Sequence, residues 1–385
     1  MTAGDRRYLF VVPPLTGHVN PTIAVAEQLR RRGHRVAWAG PEAPLRRRLP
    51  GWARVFPTGD LPPGPDRWLT ARGAAGLKYL WEDYLLPLAR AMRPGVADAV
   101  AAYAPDVLVA DQHALAGAVV ARAGGLPWAT SASNAAEFAG AYRTVPKVGA
   151  DIARLLADFA AEHGQAGADL RFSGHLVLIF STPQLAGPVS GARDTWAFVG
   201  PALGGRPPPA DFPWPGLAPD RARVLVSAGT LNTGLAGDFY RTAAEAFRPL
   251  AGRVQVILVA PPAAVPDPPG NVLVRPFVPQ LELLPHLDAV VCHGGHNTVC
   301  EALAYGVPLV VAPIRHDGPV NADQVVGAGA GVRTRFARLT AAELSGAVLR
   351  VLDEPGFRAA ARRIAGSFRA AGGARAAADR LEALR

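Results

Sequence analysis

The densest set of side chains able to do chemistry lies in residues 290–321, where His293, Glu301, His316 and Asp317 are strung along a glycine turn and two apolar runs. Residues 289–292 are apolar and short, as a buried strand requires. His293-Gly294-Gly295-His296 follows, and its two glycines let backbone approach a ligand closely. Asn297 or Thr298 is placed to cap the helix that follows, and Gly306-Val307-Pro308 to end it. Residues 309–312 return as a strand. A helix start offers unpaired N–H groups and the positive end of a dipole, a ready site for phosphate. His293 enters that site from a strand end, where open parallel sheets bind ligands. Glu301 is about one turn further on, within reach of a ribose, and His316 and Asp317 close the next strand on the same rim. An anion site, a diol acceptor and a polar pair on one edge suggest a sugar nucleotide. The glycines alone would suit any ordinary strand–turn–helix.

The elements that must hold these groups fall into two similar α/β halves. In the first, residues 8–12 read as a buried strand closed by Pro13-Pro14. A turn at residues 15–20 then leads into a helix with Pro21 as first residue and Ile23, Val25, Ala26 and Leu29 on one face. Residues 35–39 form the next strand, completing a βαβ unit and implying a parallel sheet. Residues 54–65, rich in Pro and Gly, read as a loop, and residues 77–100 as one helix. Strands are expected at 106–110, 126–130, 175–180 and 196–199, a helix at 113–122, and a helical excursion over 133–172. Residues 201–215 are too rich in Pro and Gly for either element and mark the domain boundary, near Gly204. Beyond it, strands at 224–227, 254–259 and 272–274 and a helix at 236–250 repeat the scheme. Thr340-Ala341-Ala342-Glu343 is a capping box for a helix to 352, and two helices, 358–369 and 374–384, close the chain.

A chain of 385 residues that is 50% hydrophobic has ample material for two cores. The net charge of +9 comes almost wholly from arginine, since Lys78 and Lys147 are the only lysines among 40 cations. Arg30-Arg31-Arg32 and Arg46-Arg47-Arg48 read as solvated faces rather than a nucleic-acid surface, because no aromatic side chains interleave with them. The positive field would still gather an anionic donor. Cys292 and Cys300 read as small buried fillers in a reducing cytoplasm. No apolar run is long enough to span a membrane and the N-terminus has no signal-peptide pattern, so a cytoplasmic protein without integral membrane association is expected.

His293, Gly294, Gly295, Asn297, Thr298, Glu301, Gly306, Pro308, Pro313 and Asp317 resemble the C-terminal signature of family 1 glycosyltransferases. Gly17-His18-Val19-Asn20-Pro21 is similar to the loop that bears the family's catalytic histidine. The resemblance implies a GT-B fold of α/β class: two Rossmann-like parallel-sheet domains facing a central cleft. The domains would be an acceptor-binding 1–204, a linker 205–220 and a nucleotide-sugar-binding 221–385, whose last helix can pack back on the first domain. The implied reaction is inverting transfer of a sugar from a nucleotide diphosphate to a hydroxyl of a small apolar acceptor, in a monomer or homodimer.

The resemblance assigns roles residue by residue. His18 would be the general base, its near-neutral titration suiting it to that work. Asp111, at a strand end, would orient it by triad logic. Without the resemblance, His18 reads as a capping or surface residue and Asp111 as the cap of the helix from His113; the two readings of Asp111 are compatible. Phe277 and Gln280 would meet the base, Gly229, Thr230, His293, Gly295, Asn297 and Thr298 the diphosphate, Glu301 the ribose, and Asp317 and His316 the sugar. A Glu at 301 suits a 2′,3′-diol and so favours UDP over dTDP. No cofactor is implied beyond this co-substrate. No metal is implied either: the sequence has no Asp-x-Asp pair, and the helix start with His293 would do a metal's work on the leaving diphosphate. Gly318 departs from the family, which usually has Gln after this Asp, and that puts common hexoses in doubt and favours a deoxy or amino sugar. Trp68, Tyr79, Trp81, Tyr84, Phe138 and Tyr142 are candidates for an apolar acceptor pocket, although core packing would explain any one of them.

Three alternatives remain open on sequence. A peptidoglycan GlcNAc transferase shares the architecture but carries two glycines before its N-terminal histidine, where Thr16-Gly17-His18 has one. A sugar-nucleotide epimerase would turn donor over without acceptor. A nucleotide-binding pseudoenzyme has no need to keep His18, Asp111, His293 and Glu301 together.

Overall fold

The structure, a computed structural model, describes residues 5–59, 64, 66–71, 73–189, 191, 193–206, 212–230, 232 and 236–384. It divides into two units, Met1–Pro207 with Ala370–Arg385, and Pro208–Arg369. The division falls inside the Pro- and Gly-rich 201–215 stretch, whose residues 207–211 lie outside the described residues, as do residues 60–63 and 65 of the expected 54–65 loop.

The first unit holds seven parallel strands: β1 (Arg7–Val11), β2 (Arg35–Gly40), β3 (Arg54–Pro57), β4 (Val107–Asp111), β5 (Trp128–Ala132), β6 (Leu176–Ile179) and β7 (Trp196–Phe198), in the order β3-β2-β1-β4-β5-β6-β7. Residues 8–12 are at most 1% exposed, which is why their apolar run is unbroken: a parallel strand is covered on both faces. β3 lies where a loop was expected; only Val55 of its four residues is buried, so this edge strand has almost no apolar signature.

Helix α1 (Thr16–Arg31) packs Val19, Ile23, Ala26 and Leu29 against the sheet. It begins five residues before Pro21, so Pro21 is inside the helix and His18 is in its first turn, not in a loop. Thr22 Oγ1 donates to the Val19 carbonyl at 2.7 Å and takes the buried Trp38 Nε1–H at 3.0 Å, tying this turn to β2. The helix expected over 77–100 is three consecutive pieces, Gly73–Tyr79, a wide π turn at Leu80–Leu85, and α2 (Leu86–Tyr103). Helices α3 (Leu115–Ala123) and α4 (Pro146–Glu162) complete the unit's main helices.

The second unit is a six-stranded parallel sheet of β8 (Ala222–Ser227), β9 (Val254–Val259), β10 (Val272–Arg275), β11 (Ala289–Cys292), β12 (Leu309–Val311) and β13 (Gly331–Arg333), ordered β10-β9-β8-β11-β12-β13. Its helices include α5 (Gly237–Phe247), α6 (His296–Ala304), α7 (Gly318–Gly327), α8 (Ala341–Asp353) and α9 (Pro355–Ala371). The capping box opens α8 as expected, with the Glu343 N–H donating to Thr340 Oγ1 and the Thr340 N–H to Glu343.

The last helix, α10 (Gly373–Glu382), groups with the first unit, so the second unit stops at Arg369. It buries Ala377, Ala378 and Leu381, and its carboxylates draw on the arginine run: Arg32 reaches Asp379 at 2.7 Å and Glu382 at 2.6 Å. Arg30 lies over the Trp52 ring and Arg31 pairs with Glu27, so the run is occupied within the chain. Among the described residues, no helix is long and apolar enough to cross a membrane.

Candidate active site

In the first sheet β1, β4 and β5 are neighbours and run the same way, so residues that follow or end them converge on one edge. That edge, at the point where the strand order reverses, is where open parallel sheets place ligands. His18 follows β1, Asp111 ends β4, and Ser133 follows β5. His18 Nδ1 lies 2.8 Å from Asp111 Oδ1, with side chains 10% and 0% exposed. Ser133 Oγ donates to Asp111 Oδ2 at 2.7 Å and sits 2.8 Å from His18 Nδ1. The His113 N–H donates to Asp111 Oδ1 at 2.9 Å.

Asp111 does not cap the helix after it, because α3 starts at Leu115 with Ala114 in the cap position. Its carboxylate instead gathers donors. An ionised carboxylate only accepts, so the bond to His18 assigns the ring proton to Nδ1 and leaves the lone pair at Nε2.

Behind His18 stands a buried polar chain. The His113 ring is 4.7 Å from the His18 ring at a tilt of 32°, and its Nε2 is 3.5 Å from Glu137 Oε1. Arg171 Nη1 donates to Glu137 Oε2 at 2.8 Å, the Tyr142 hydroxyl donates to Glu137, and Trp81 Nε1 donates to Tyr142 at 3.1 Å. Burial alone would raise the Glu137 carboxyl, but the adjacent His113 ring and the Arg171 charge hold it down to about 2.

The second unit builds a different site at the matching edge of its sheet, where β8 and β11 are neighbours. Gly229 follows β8 with φ +77°, and a Cβ there would collide with the His293 ring; a Cβ on Gly295 would lie 2.6 Å from its Nε2. The imidazole is thus held between two stretches of bare backbone. Burial, aided by Arg315 and opposed by Asp317, lowers its pKa to about 4, so near pH 7 it is neutral. His293 Nδ1 bonds to no protein group among the described residues.

Helix α6 starts at His296 with Gly295 in the cap position, so Asn297 and Thr298 lie in its first turn and neither is the cap. Glu301 is 2% exposed and takes a hydrogen bond from Gln280 Nε2 at 2.6 Å. Phe277, between β10 and the short helix Gln280–Leu283, is 64% exposed, and Thr230 is exposed as well. Asn321 Nδ2 donates to the Gly294 carbonyl at 2.7 Å and to Asp317 Oδ2 at 2.9 Å, tying the two loops together. Gly318 opens α7, and a Cβ there would lie 2.8 Å from the His293 carbonyl, so glycine is what lets these loops close up. His316 holds a left-handed backbone, φ +54°, which few non-glycine residues adopt.

Residues 256–384 match a family model described as "Erythromycin biosynthesis protein CIII-like, C-terminal domain". Over the whole length, the chain is 32% identical to demethyllactenocin mycarosyltransferase of Streptomyces fradiae, with 97% of this chain and 86% of that protein covered. It is also 32% identical to oleandomycin glycosyltransferase of Streptomyces antibioticus, covering 95% of this chain and 88% of the relative. The chain belongs to the family 1 glycosyltransferases. Its fold agrees: the solved glycotransferase of kitacinnamycin superposes with a TM-score of 0.80 at 27% identity, covering 98% of each chain, so the GT-B architecture is that of this glycosyltransferase too. These relatives make it a glycosyltransferase of natural-product type.

The aromatic residues named as acceptor candidates are mostly core. Trp68 and Trp81 belong to a hydrophobic cluster of the glycosyltransferase's first unit, with Tyr79, Tyr84 and Tyr142 packed against it, while Phe138 is 2% exposed. Both cysteines are buried, and burial pushes the Cys292 thiol up to about 12. Among the described residues no three His, Cys, Asp or Glu side chains gather as a metal site would need. Sequence reasoning missed Ser133 and His113; neither sits in a motif, and only the strand order brings them to His18.

Proposed function

We propose that this glycosyltransferase moves a sugar from a nucleoside diphosphate to a hydroxyl of a small apolar acceptor, inverting the anomeric carbon. His18 Nε2 takes the acceptor's hydroxyl proton as its oxygen bonds to the anomeric carbon. The bond from that carbon to the diphosphate oxygen breaks on the opposite face, and the nucleoside diphosphate leaves with the electron pair. Asp111 holds the His18 tautomer and stabilises the imidazolium. The first-turn N–H groups of α6, with neutral His293 as a hydrogen-bonding partner, stabilise the leaving diphosphate without a divalent cation. Glu301 takes the ribose hydroxyls, favouring a UDP-sugar, and Phe277 stacks on the base. Asp317 and His316 hold the sugar. With glycine at 318 no amide reaches the sugar there, which favours a deoxy or amino sugar.

The observation that carries this reading is the buried 2.8 Å bond between His18 and Asp111 in a chain of this family. Its test is a panel of UDP- and dTDP-sugars with pooled apolar aglycones, in EDTA, read by mass spectrometry and by the anomeric coupling constant of the product. An α-linked donor should give a β-linked product. Retention of configuration, or donor turnover without any acceptor, would overturn the reading, the latter in favour of an epimerase.

A further inference from the structure

The aspartate is not the only group that meets the proton-bearing nitrogen of His18. Ser133 Oγ lies 2.8 Å from His18 Nδ1 and 2.7 Å from Asp111 Oδ2, while Asp111 Oδ1 lies 2.8 Å from the same Nδ1. The three side chains close a triangle. Its hydrogens have one consistent arrangement when the carboxylate is charged. The hydroxyl proton goes to Asp111 Oδ2, so the Ser133 oxygen is left as an acceptor, and the Nδ1–H is shared between that oxygen and Asp111 Oδ1. We propose that Ser133 is a positioning residue for the reaction, fixing the plane of the His18 ring, whose tautomer Asp111 holds, from the strand beside Asp111. This inference rests on His18 being the base.

The surroundings are built to hold the serine still. Ser133 is 4% exposed and follows β5, the strand paired with the one that ends in Asp111. The next residue is fastened on both sides: the Asn134 side chain takes the Ala136 N–H at 2.9 Å, and its carbonyl takes Gln112 Nε2 at 2.9 Å. Gln112 directly follows Asp111, so the serine and the carboxylate are carried by segments bonded to each other. A carboxylate bonded to one imidazole nitrogen by a single oxygen still lets the ring rock. A second partner at the same nitrogen, itself bonded to the other carboxylate oxygen, removes that freedom, and small losses of alignment cost large factors in rate.

The experiment compares full-length wild type, Ser133→Ala, Ser133→Thr and His18→Ala. Each is assayed for transfer from the 6-deoxy donors UDP-rhamnose and dTDP-rhamnose, with UDP-glucose alongside, to 4-nitrophenol, and the imidazole 15N signals of His18 are recorded by NMR without substrate. Ser133→Ala should lower kcat about 10- to 100-fold with donor KM and Tm unchanged, and Ser133→Thr, which keeps the hydroxyl, should restore most of it. The wild-type spectrum should show one sharp Nδ1–H signal, and Ser133→Ala should keep the tautomer that Asp111 holds but shift and broaden that signal as the ring rocks. An alanine variant with wild-type kcat, or with an unchanged His18 spectrum, would overturn the proposal. A fall in kcat accompanied by an equal loss of donor affinity and no rescue by threonine would overturn it too, leaving Ser133 a structural residue. Wild-type rates from His18→Ala would sink the base assignment instead, and the NMR comparison alone would then decide what Ser133 does to the ring.

Discussion

His18 follows β1 and meets Asp111 at the end of the neighbouring β4; His293 follows β11 and faces Gly229 after the neighbouring β8. The two sheets are wound alike, so the two imidazoles occupy corresponding edges, each at the point where its strand order reverses. Their surroundings differ in one respect that decides their chemistry. The first is bonded through Nδ1 to a carboxylate, which fixes its proton there and turns Nε2 into an acceptor. The second is pressed between glycine backbones and lowered by burial to about 4, so it meets a ligand as a neutral group. On the proposed reading, one scaffold thus gives a proton acceptor in one half and an uncharged hydrogen-bonding group in the other.

The sharpest way to break the comparison is to remove the carboxylate from the first pair. Asp111→Asn keeps the shape but no longer holds the imidazolium, and kcat should fall about 10³- to 10⁴-fold with donor binding unaltered. If transfer survives within a few-fold of wild type, the carboxylate makes no difference and the contrast between the two histidines disappears.

The second histidine makes a claim about pH. Its folded pKa of about 4 lies below the 6.5 of an unperturbed imidazole, so between those values the unfolded chain binds a proton that the folded one does not. This contribution is absent at pH 7 and destabilises as pH falls through 6.5 toward 4, by at most about 3 kcal/mol. Urea unfolding of the whole protein at pH 7 and pH 5 should show the loss, and His293→Gln should remove that part of the pH slope. An unchanged slope would mean His293 is no more enclosed than an ordinary surface histidine.

Somewhat smaller is the effect of crowding the second ring. Gly295→Ala puts a methyl group against His293 Nε2 and should weaken nucleotide-sugar binding roughly 100-fold, read by calorimetry. The His18 signals in an NMR spectrum should not move, since the first unit carries none of this contact. Movement of both would show that the two imidazoles do not act as separate groups.

Much of this scaffold was legible in the sequence, for a physical reason. Parallel strands buried on both faces, such as residues 8–12 and 254–259, need unbroken apolar runs, and Thr340-x-x-Glu343 is a cap whose partners lie within one turn. β3 was not legible: an edge strand with one buried residue leaves no pattern to read. The start of α1 was missed because Leu15 offers no capping side chain, so Pro21 drew the boundary too late. Of the candidate site, the 293–301 turn carries a spacing that can be read locally, whereas His18 was singled out by the resemblance of Gly17-His18-Val19-Asn20-Pro21 to a family loop. Ser133 carries neither. It lies 115 residues from His18 and reaches it only because β1, β4 and β5 are neighbours, a fact of strand order that no local pattern encodes.

The mildest test asks whether the second unit's groups act on binding alone. Glu301 is buried and bonded to Gln280 at 2.6 Å, so its carboxylate has an oxygen engaged within the protein before any ribose arrives. Glu301→Gln keeps the size and one acceptor oxygen but replaces the other with a donor, opposing both Gln280 and a ribose diol. UDP-sugar affinity should fall about tenfold, the loss of one charge-assisted hydrogen bond, with kcat at saturating donor close to wild type. A dTDP-sugar has no 2′-hydroxyl and should lose less. An equal loss for both donors would place Glu301 in the support of α6 through Gln280 rather than in contact with the ribose. A fall in kcat instead of affinity would mean that the division of labour between the two halves, base in one and grip in the other, is drawn in the wrong place.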